Sequence, residues 1–185
     1  MKLRIVGWVP VLFAIASVAP LSAQTGLPPI SIEGRGGISL PTGDFARPLT
    51  LGYGLGGSAS LGITPTVGIY AGYSYTSFDY DHKSPGAPEG SYNLQGIDAG
   101  LRFGAPSFTR TAPYLRLGGV YYKGEPTNGA PADKQKFGYQ VGAGLDYQLA
   151  LHVSLTPELR YTTISHSDRT DVSYVTLDFG LRFHP

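Results

Sequence analysis

The sequence predicts an all-β fold, an eight-stranded antiparallel up-and-down transmembrane β-barrel, and three patterns support this prediction. First, apolar residues alternate with small or polar ones from Phe137 to Leu149 and again from Val175 to Phe183. A period of two is typical of a β-strand, because successive side chains point to opposite faces. Second, the apolar face is continuous and aromatic, whereas charge and glycine lie on the other face. Third, short and longer links alternate, as in barrels with lipid outside and a polar lumen inside.

Eight segments show this alternation. The predicted strands are Ile30–Leu40, Leu51–Ile63, Thr66–Phe78, Tyr92–Gly104, Ala112–Lys123, Phe137–Leu149, Val153–Ile164 and Val175–Phe183. The links around residues 62–65, 105–111 and 148–152 are short, and those at 41–50, 79–91, 124–135 and 165–171 are mostly longer. Closure of the barrel removes the edge strands that a bilayer would not tolerate. Pro157 cannot donate a ladder hydrogen bond, so we expect a bulge there or a later start of the seventh strand.

The first residues have the pattern of a secretory signal peptide, which we assign to residues 1–23. Lys2 and Arg4 precede an apolar run, and Leu21-Ser22-Ala23 is an acceptable cleavage site. A membrane anchor at the N-terminus is the alternative, although the run is short for a spanning helix. Residues 24–29 are then interpreted as a linker and residues 30–185 as the outer-membrane barrel.

Composition excludes several classes of function. The chain has no cysteine, which excludes disulfides, thiol catalysis and thiolate metal sites. Its formal net charge is +1, with no basic patch of the kind that binds nucleic acid, so we expect no nucleic-acid partner. We expect no cofactor and no bound metal. Asp79, Asp81 and His82 are interpreted as a charged loop tip rather than a calcium site.

Aromatic residues cluster at two heights of the predicted barrel, as expected for belts at the two membrane interfaces. Those predicted near the longer links are Tyr53, Tyr73, Tyr75, Phe78, Tyr92, Tyr121 and Tyr161. Those predicted near the short links are Phe103, Phe108, Tyr147 and Phe183.

Strand parity places carboxylates and guanidiniums in equal number inside the barrel. They are Glu33, Asp98, Asp146, Glu158 and Asp178, with Arg35, Arg102, Arg116, Arg160 and Arg182. Eight strands enclose a space that side chains just fill, and an unpaired charge there would cost several kcal/mol. We therefore predict a network of ion pairs, with inward glycines giving room to the long side chains. The favoured interpretation is a plug, and the alternative is a gate that opens when ion pairs exchange partners.

Three phrases resemble the OmpA-like outer-membrane β-barrel family, and members without a further domain in particular. They are Gly36–Phe45, Pro157–Tyr161 and Leu177–Phe183. The resemblance implies an address in the outer membrane, in contact with lipid and lipopolysaccharide, and a porin-family relationship. It also implies a C-terminal assembly signal that the barrel-insertion machinery reads, formed by Leu177, Phe179, Leu181 and Phe183. Family roles include structural support, adhesion, stress response and small-solute passage. We expect a monomer.

The last long link, residues 165–171, contains catalytic candidates, because lipid A deacylases carry a His-x-Ser pair on a late strand near the outer membrane interface. His166 and Ser167 are adjacent here, and adjacent residues on a strand point to opposite faces. The only acid that follows nearby is Asp171, so a solvated turn is the favoured interpretation of these three candidates.

The prediction for function is a structural or surface-interaction role exercised through four longer links, which are the candidate surface for an external ligand, and no enzymatic activity. Two alternatives stay open: a narrow gated pore for ions or small solutes, and a lipid A deacylase-like hydrolase. A soluble lipocalin-like barrel with its apolar side inward is the competing architecture.

Overall fold

Strands make up nearly all of the described chain. The computed structural model describes residues 30–46, 49–80, 90–104, 110–127, 135–165 and 171–185. The strands are β1 (Ile30–Thr42), β2 (Leu49–Gly62), β3 (Val67–Tyr80), β4 (Ser91–Gly104), β5 (Thr111–Pro126), β6 (Lys136–Ala150), β7 (Val153–Ile164) and β8 (Val172–Phe183). A short 3-10 helix, Gly43–Ala46, follows β1. In these ranges no helix is long and apolar enough to cross a membrane.

The eight strands form a closed antiparallel barrel, as the sequence predicts. Each strand pairs with its neighbours in chain order, and β1 pairs with β8 from Ile32–Phe183 to Thr42–Ser173. The links at residues 63–66, 105–110 and 151–152 lie at one end, which we call the short-turn end. The other links lie at the opposite, long-loop end. In outer-membrane barrels the short turns face the periplasm and the longer loops face the exterior.

Every strand except β7 extends beyond its predicted bound at the long-loop end, and the differences are largest in β5 and β8. Strand β5 continues to Pro126 rather than stopping at Lys123, and β8 begins at Val172 rather than Val175. In β8 the inward residues of this segment, Val172 and Tyr174, belong to the interior packing described below, whereas in β5 the buried residue is Gly124. The alternation of apolar and polar residues is less regular at these ends, which is why the sequence pattern stops short.

Neither expectation for Pro157 is correct. Strand β7 begins at Val153 as predicted, and Pro157 pairs in register with Phe179 of β8. On the side of β7 that faces β6, the pairs Gly144–Glu158 and Tyr147–Leu155 have the same register, so no residue is inserted at Pro157. Only the pairs between these two are missing from the ladder. The strand tolerates proline because the ladder with β8 stays intact on the opposite side. The irregularity of this seam lies lower, between Gln148 and Ala150.

The predicted division into an outer and an inner face is confirmed. Leu55 and Leu181 on the outer face are 64% and 57% exposed, whereas Arg116 on the inner face is fully buried. Tyr53, Tyr73 and several other predicted belt aromatics lie outside. The prediction is wrong for two belt residues: Phe78 is buried inside the barrel and Tyr92 packs against the same interior cluster. Phe108 lies outside the described residues.

Candidate functional site

Glu33 is the centre of the ion-pair network that fills the short-turn half of the lumen. Its Oε1 accepts a hydrogen bond of 2.9 Å from Arg116, and its Oε2 accepts one of 2.5 Å from Arg182. The guanidinium of Arg35 lies 3.7 Å away. One carboxylate on β1 therefore joins arginines from β1, β5 and β8, and its side chain is 3% exposed. Such sharing satisfies both carboxylate oxygens with charged donors.

The remaining predicted pairs are present and extend the network through the whole cross-section. Arg35 donates to Asp98 at 3.3 Å, Arg102 donates to Asp146 at 2.6 Å, and Arg160 pairs with Asp178. Arg116 also lies 3.0 Å from Glu158 through its Nε, and Arg182 lies 3.3 Å from Asp146. All ten predicted lumen residues are therefore inside and in contact with a partner of opposite charge.

Three uncharged inward residues belong to the network and were not singled out from the sequence. Tyr114 donates its hydroxyl hydrogen to Glu158 at 2.9 Å, and its ring lies 3.7 Å below the guanidinium carbon of Arg102. Gln140 donates to both the hydroxyl of Tyr70, at 2.8 Å, and the carboxylate of Asp98, at 3.2 Å. The guanidinium of Arg116 stacks on the ring of Tyr70 at 4.7 Å. Strand parity already places these residues inside and was the available signal.

The inward glycines make room for charged side chains, as the sequence predicts, and also for aromatic rings. A Cβ atom on Gly37 would lie 2.7 Å from the Oδ1 of Asp178, and one on Gly142 would lie 3.0 Å from the Oε1 of Glu158. A Cβ atom on Gly118 would lie 2.2 Å from the hydroxyl oxygen of Tyr70, and one on Gly144 would lie 2.6 Å from that of Tyr114. The same holds for Gly96 beside Tyr122 and for Gly52 beside Phe78, at 2.7 and 2.6 Å. Each aromatic side chain occupies the space that a side chain in place of the glycine would fill, and this lets bulky residues fit within a narrow barrel.

The long-loop half of the lumen is apolar, which the sequence analysis did not predict. The buried residues of this interior apolar cluster are Leu49, Phe78, Leu94, Val120, Tyr122, Ile164, Val172 and Tyr174. Phe78 and Tyr174 meet edge to face with ring centroids 5.4 Å apart. The prediction of a lumen that is polar throughout is therefore wrong. The apolar residues pack together at the long-loop end and exclude water there, as in a soluble core.

Hydroxyl groups lie between the charged half and the interior apolar cluster. Ser39 and Thr176 are hydrogen-bonded at 2.9 Å, and the hydroxyl of Tyr174 bonds the side chains of Thr76 and Thr162. Small hydroxyl residues can satisfy the last polar groups of the network without adding charge next to apolar rings. Among the described residues, the lumen thus passes from ion pairs through hydroxyls to apolar packing.

The catalytic candidates are not brought together by what the structure describes. His166 and Ser167 lie outside the described residues, and Asp171 precedes β8 at the long-loop end. The four residues of the predicted assembly signal, Leu177, Phe179, Leu181 and Phe183, all lie on the outer face of β8 and are 40–57% exposed.

Two histidines at the short-turn end, to which the sequence suggested no role, bind each other's backbone. The Nδ1 atom of His152 lies 2.8 Å from the carbonyl oxygen of His184, and the amide of His184 donates to the carbonyl of His152 at 2.9 Å. These bonds fasten the chain after β8 to the turn between β6 and β7.

A closed eight-stranded barrel with an apolar outer face and a filled, paired lumen defines the class of small outer-membrane β-barrel proteins. The chain belongs to the outer membrane protein beta-barrel domain family, whose profile matches residues 11–183. The protein is accordingly located in the bacterial outer membrane, and its outer face contacts lipid.

Solved structures share this fold. Neisserial surface protein A is 18% identical, with a TM-score of 0.66, and the match covers 83% of this chain and 96% of that one. Ail, the attachment invasion locus protein of Yersinia pestis, is 18% identical with a TM-score of 0.54, covering 85% and 99%. OprG from Pseudomonas aeruginosa is 14% identical with a TM-score of 0.57, covering 86% and 98%. No curated protein matches the sequence.

Proposed function

We propose that the protein is a closed, non-catalytic outer-membrane barrel that acts as a rigid support for its four longer links at the cell surface. The observation that carries this proposal is the filled lumen, with ion pairs at one end and apolar residues at the other. In a barrel of this kind the interior side chains stabilise the fold. The loops are then the surface available for interaction with an external ligand. The neighbouring structures share the fold, and two of them, a surface protein and an attachment protein, have names that agree with such a role.

Conductance in planar lipid bilayers tests this proposal directly. We expect the refolded protein to insert without producing unitary current steps, because no water-filled path joins the two ends. A conducting outer-membrane porin added to the same membrane serves as the positive control. Reproducible steps from the purified protein alone would overturn the closed-barrel proposal.

A narrow gated pore is the second candidate, and the sharing of charges favours it. Glu33, Asp146 and Arg116 each contact two or more partners of opposite charge, so an ion pair could exchange without leaving a charge alone. Voltage ramps that produce brief openings in the parent, and altered openings in Glu33→Gln, would support this candidate over the closed barrel.

A deacylase-like activity is tested by the mass of lipid A from cells that express the protein. We expect no loss of an acyl chain. If cells that express the parent protein lose an acyl chain from lipid A and cells that express Ser167→Ala do not, the protein is a hydrolase and the non-catalytic proposal fails.

Export and assembly are part of the proposal. We infer that residues 1–23 direct secretion, that residues 24–29 link them to the barrel, and that the assembly signal ending at Phe183 engages the insertion machinery. We also propose that the barrel is a monomer and that it contacts lipopolysaccharide. The mobility of unheated and boiled samples in SDS gels should differ for the folded monomer. Phe183→Ala should reduce the folded fraction in the outer membrane.

A further inference from the structure

A cavity of about 220 Å³, with a mixed polar and apolar lining, opens at the short-turn mouth of the lumen. It lies where the turn between β2 and β3 meets the end of β8. Its polar lining consists of the hydroxyl residues Ser31, Ser60, Thr64 and Thr66 and the basic residues Arg102, Arg182 and His184. A phosphate group together with a few water molecules fits a space of this size, since a water molecule takes about 30 Å³.

The charges around this cavity are one-sided. Among the described residues that line it there are three basic side chains and no carboxylate. Arg102 and Arg182 both contact the carboxylate of Asp146, at 2.6 and 3.3 Å, and Arg182 also bonds Glu33 deeper in the lumen, so Asp146 is the only carboxylate that Arg102 contacts among the described residues. The Arg102 side chain is 13% exposed, whereas the other four lumen arginines are at most 7% exposed. Arg102 is therefore the guanidinium that a ligand can reach.

Hydrogen-bond donors at the cavity are incompletely used. The Oγ of Ser60 and the Nε atoms of Arg102 and Arg182 are buried without a hydrogen-bond partner among the described residues. Unpartnered guanidinium nitrogens also occur on Arg35, Arg116 and Arg160, but at the cavity they occur together with an unpartnered hydroxyl and with the most exposed lumen arginine, Arg102. Buried donors in native proteins are nearly always satisfied, and an acceptor at this mouth would satisfy these. Guanidinium and hydroxyl groups together form the donor set that binds phosphate oxygens.

We propose that this mouth is a binding site for a phosphate group. The group can come from free inorganic phosphate or from the headgroup of a phospholipid in the periplasmic leaflet, which lies at the same height as the short turns. Arg102 makes the principal contact, and Ser60 and Arg182 help to orient the oxygens. This assignment does not depend on the proposed function, because the site faces away from the longer links.

The first arm of the test uses inorganic phosphate. The full barrel, refolded in phospholipid-free detergent, is titrated with phosphate by calorimetry at constant ionic strength. We expect saturable binding that Arg102→Gln weakens about tenfold or more, the loss expected for hydrogen bonds between charged groups. Lys123→Gln removes an exposed basic charge at the opposite end and should leave the binding unchanged.

A second variant protects the test against misfolding. If Arg102→Gln fails to show heat-dependent mobility in SDS, Ser60→Ala replaces it, and this smaller change should still weaken binding several-fold. Equal binding by the parent and by a folded variant at either position would overturn the assignment.

The second arm distinguishes the lipid source. Native mass spectrometry compares retention of phosphatidic acid with that of diacylglycerol, which has the same chains but no phosphate. Selective retention of phosphatidic acid, lost in the variants, together with no binding of inorganic phosphate would assign the site to a lipid headgroup. Binding of inorganic phosphate alone would assign it to the free ion. Absence of both would overturn the proposal.

Discussion

The two halves of the lumen are packed with side chains of opposite character. At the short-turn end, ten charged residues on six strands pair across the interior, whereas at the long-loop end aromatic and aliphatic side chains pack as in a soluble core. The outer face is apolar along both halves. The difference shows that a small barrel can be closed by directional pairing or by water exclusion, and that this protein uses each at a different depth.

The two solutions differ in how they respond to change. An ion-pair network in a low dielectric depends on every partner, because a charge left alone keeps its full desolvation cost. Apolar packing depends on volume and tolerates substitutions of similar size. The following variants test whether the halves behave in these two ways.

The largest effect is expected at the centre of the charged half. Glu33→Gln keeps the shape of the side chain but leaves Arg116 and Arg182 without their shared counter-charge. We expect a loss of about 3–5 kcal/mol in the free energy of unfolding, measured by urea titration in lipid vesicles. Glu125→Gln removes the same charge from a half-exposed pair with Lys123 and should cost less than about 1 kcal/mol. Equal losses for the two variants would contradict a buried network.

In the apolar half, Leu94→Ala should act through a cavity. Leu94 is 2% exposed within the interior apolar cluster, and its truncation should lower the free energy of unfolding by about 2–5 kcal/mol. Leu101→Ala on the outer face of the same strand is the matched control and should cost less, because lipid chains can fill the space. If Leu94→Ala is the milder of the two, the apolar half is loosely packed and the comparison between the halves fails.

A smaller effect is expected where glycine makes room for a ring. Gly118→Ala would bring a Cβ within 2.2 Å of the Tyr70 hydroxyl and 2.6 Å of a backbone oxygen, so overpacking should cost about 1–3 kcal/mol. At Gly104, a Cβ meets nothing within 4 Å among the described residues, and Gly104→Ala should be nearly neutral. The same urea titration distinguishes them, and a neutral Gly118→Ala would mean that Tyr70 moves freely.

The smallest effect concerns pH at the short-turn end, outside the membrane-spanning strands. Burial, followed by the nearby charge of Arg182, lowers the pKa of His184, so folding favours the neutral imidazole. Stability from this residue is present above its unfolded pKa of about 6.5 and is lost as the pH falls below that value. Urea midpoints at about pH 7.5 and about pH 5.5 should therefore differ slightly more in the parent than in His184→Gln. An identical difference in both proteins would argue against this shift.

The alternation of apolar and polar residues made much of the fold predictable. The number of alternating segments gave the number of strands, and the parity of each position within a segment gave the inner and outer faces and the charged half of the lumen. Side chains at alternate positions must share a face, so the position of Arg116 fixes that of Val120 and Tyr122 as well. The ion pairs required only the further argument that charges in a narrow interior need partners.

The interior apolar cluster was missed because an aromatic residue near a membrane interface has two favourable environments. Phe78 could lie among lipid headgroups or inside the barrel, and its residue type does not decide between them. Its parity, shared with Tyr70 and Ser74, does decide, and the structure follows parity. The cavity at the short-turn mouth was also beyond prediction, because it depends on how a turn and the end of β8 meet in space.

The position of Glu33 on the first strand and of Arg182 on the last has a consequence for the order of events during folding. These residues are separated by 149 positions in the chain, and Arg116 and Asp98 join them from the middle of the sheet. None of these pairs can form in an open sheet, where the same charges would face lipid at a high cost. The pairing of β1 with β8 and entry into the hydrocarbon core must then proceed together, and slow strand closure would delay insertion rather than follow it.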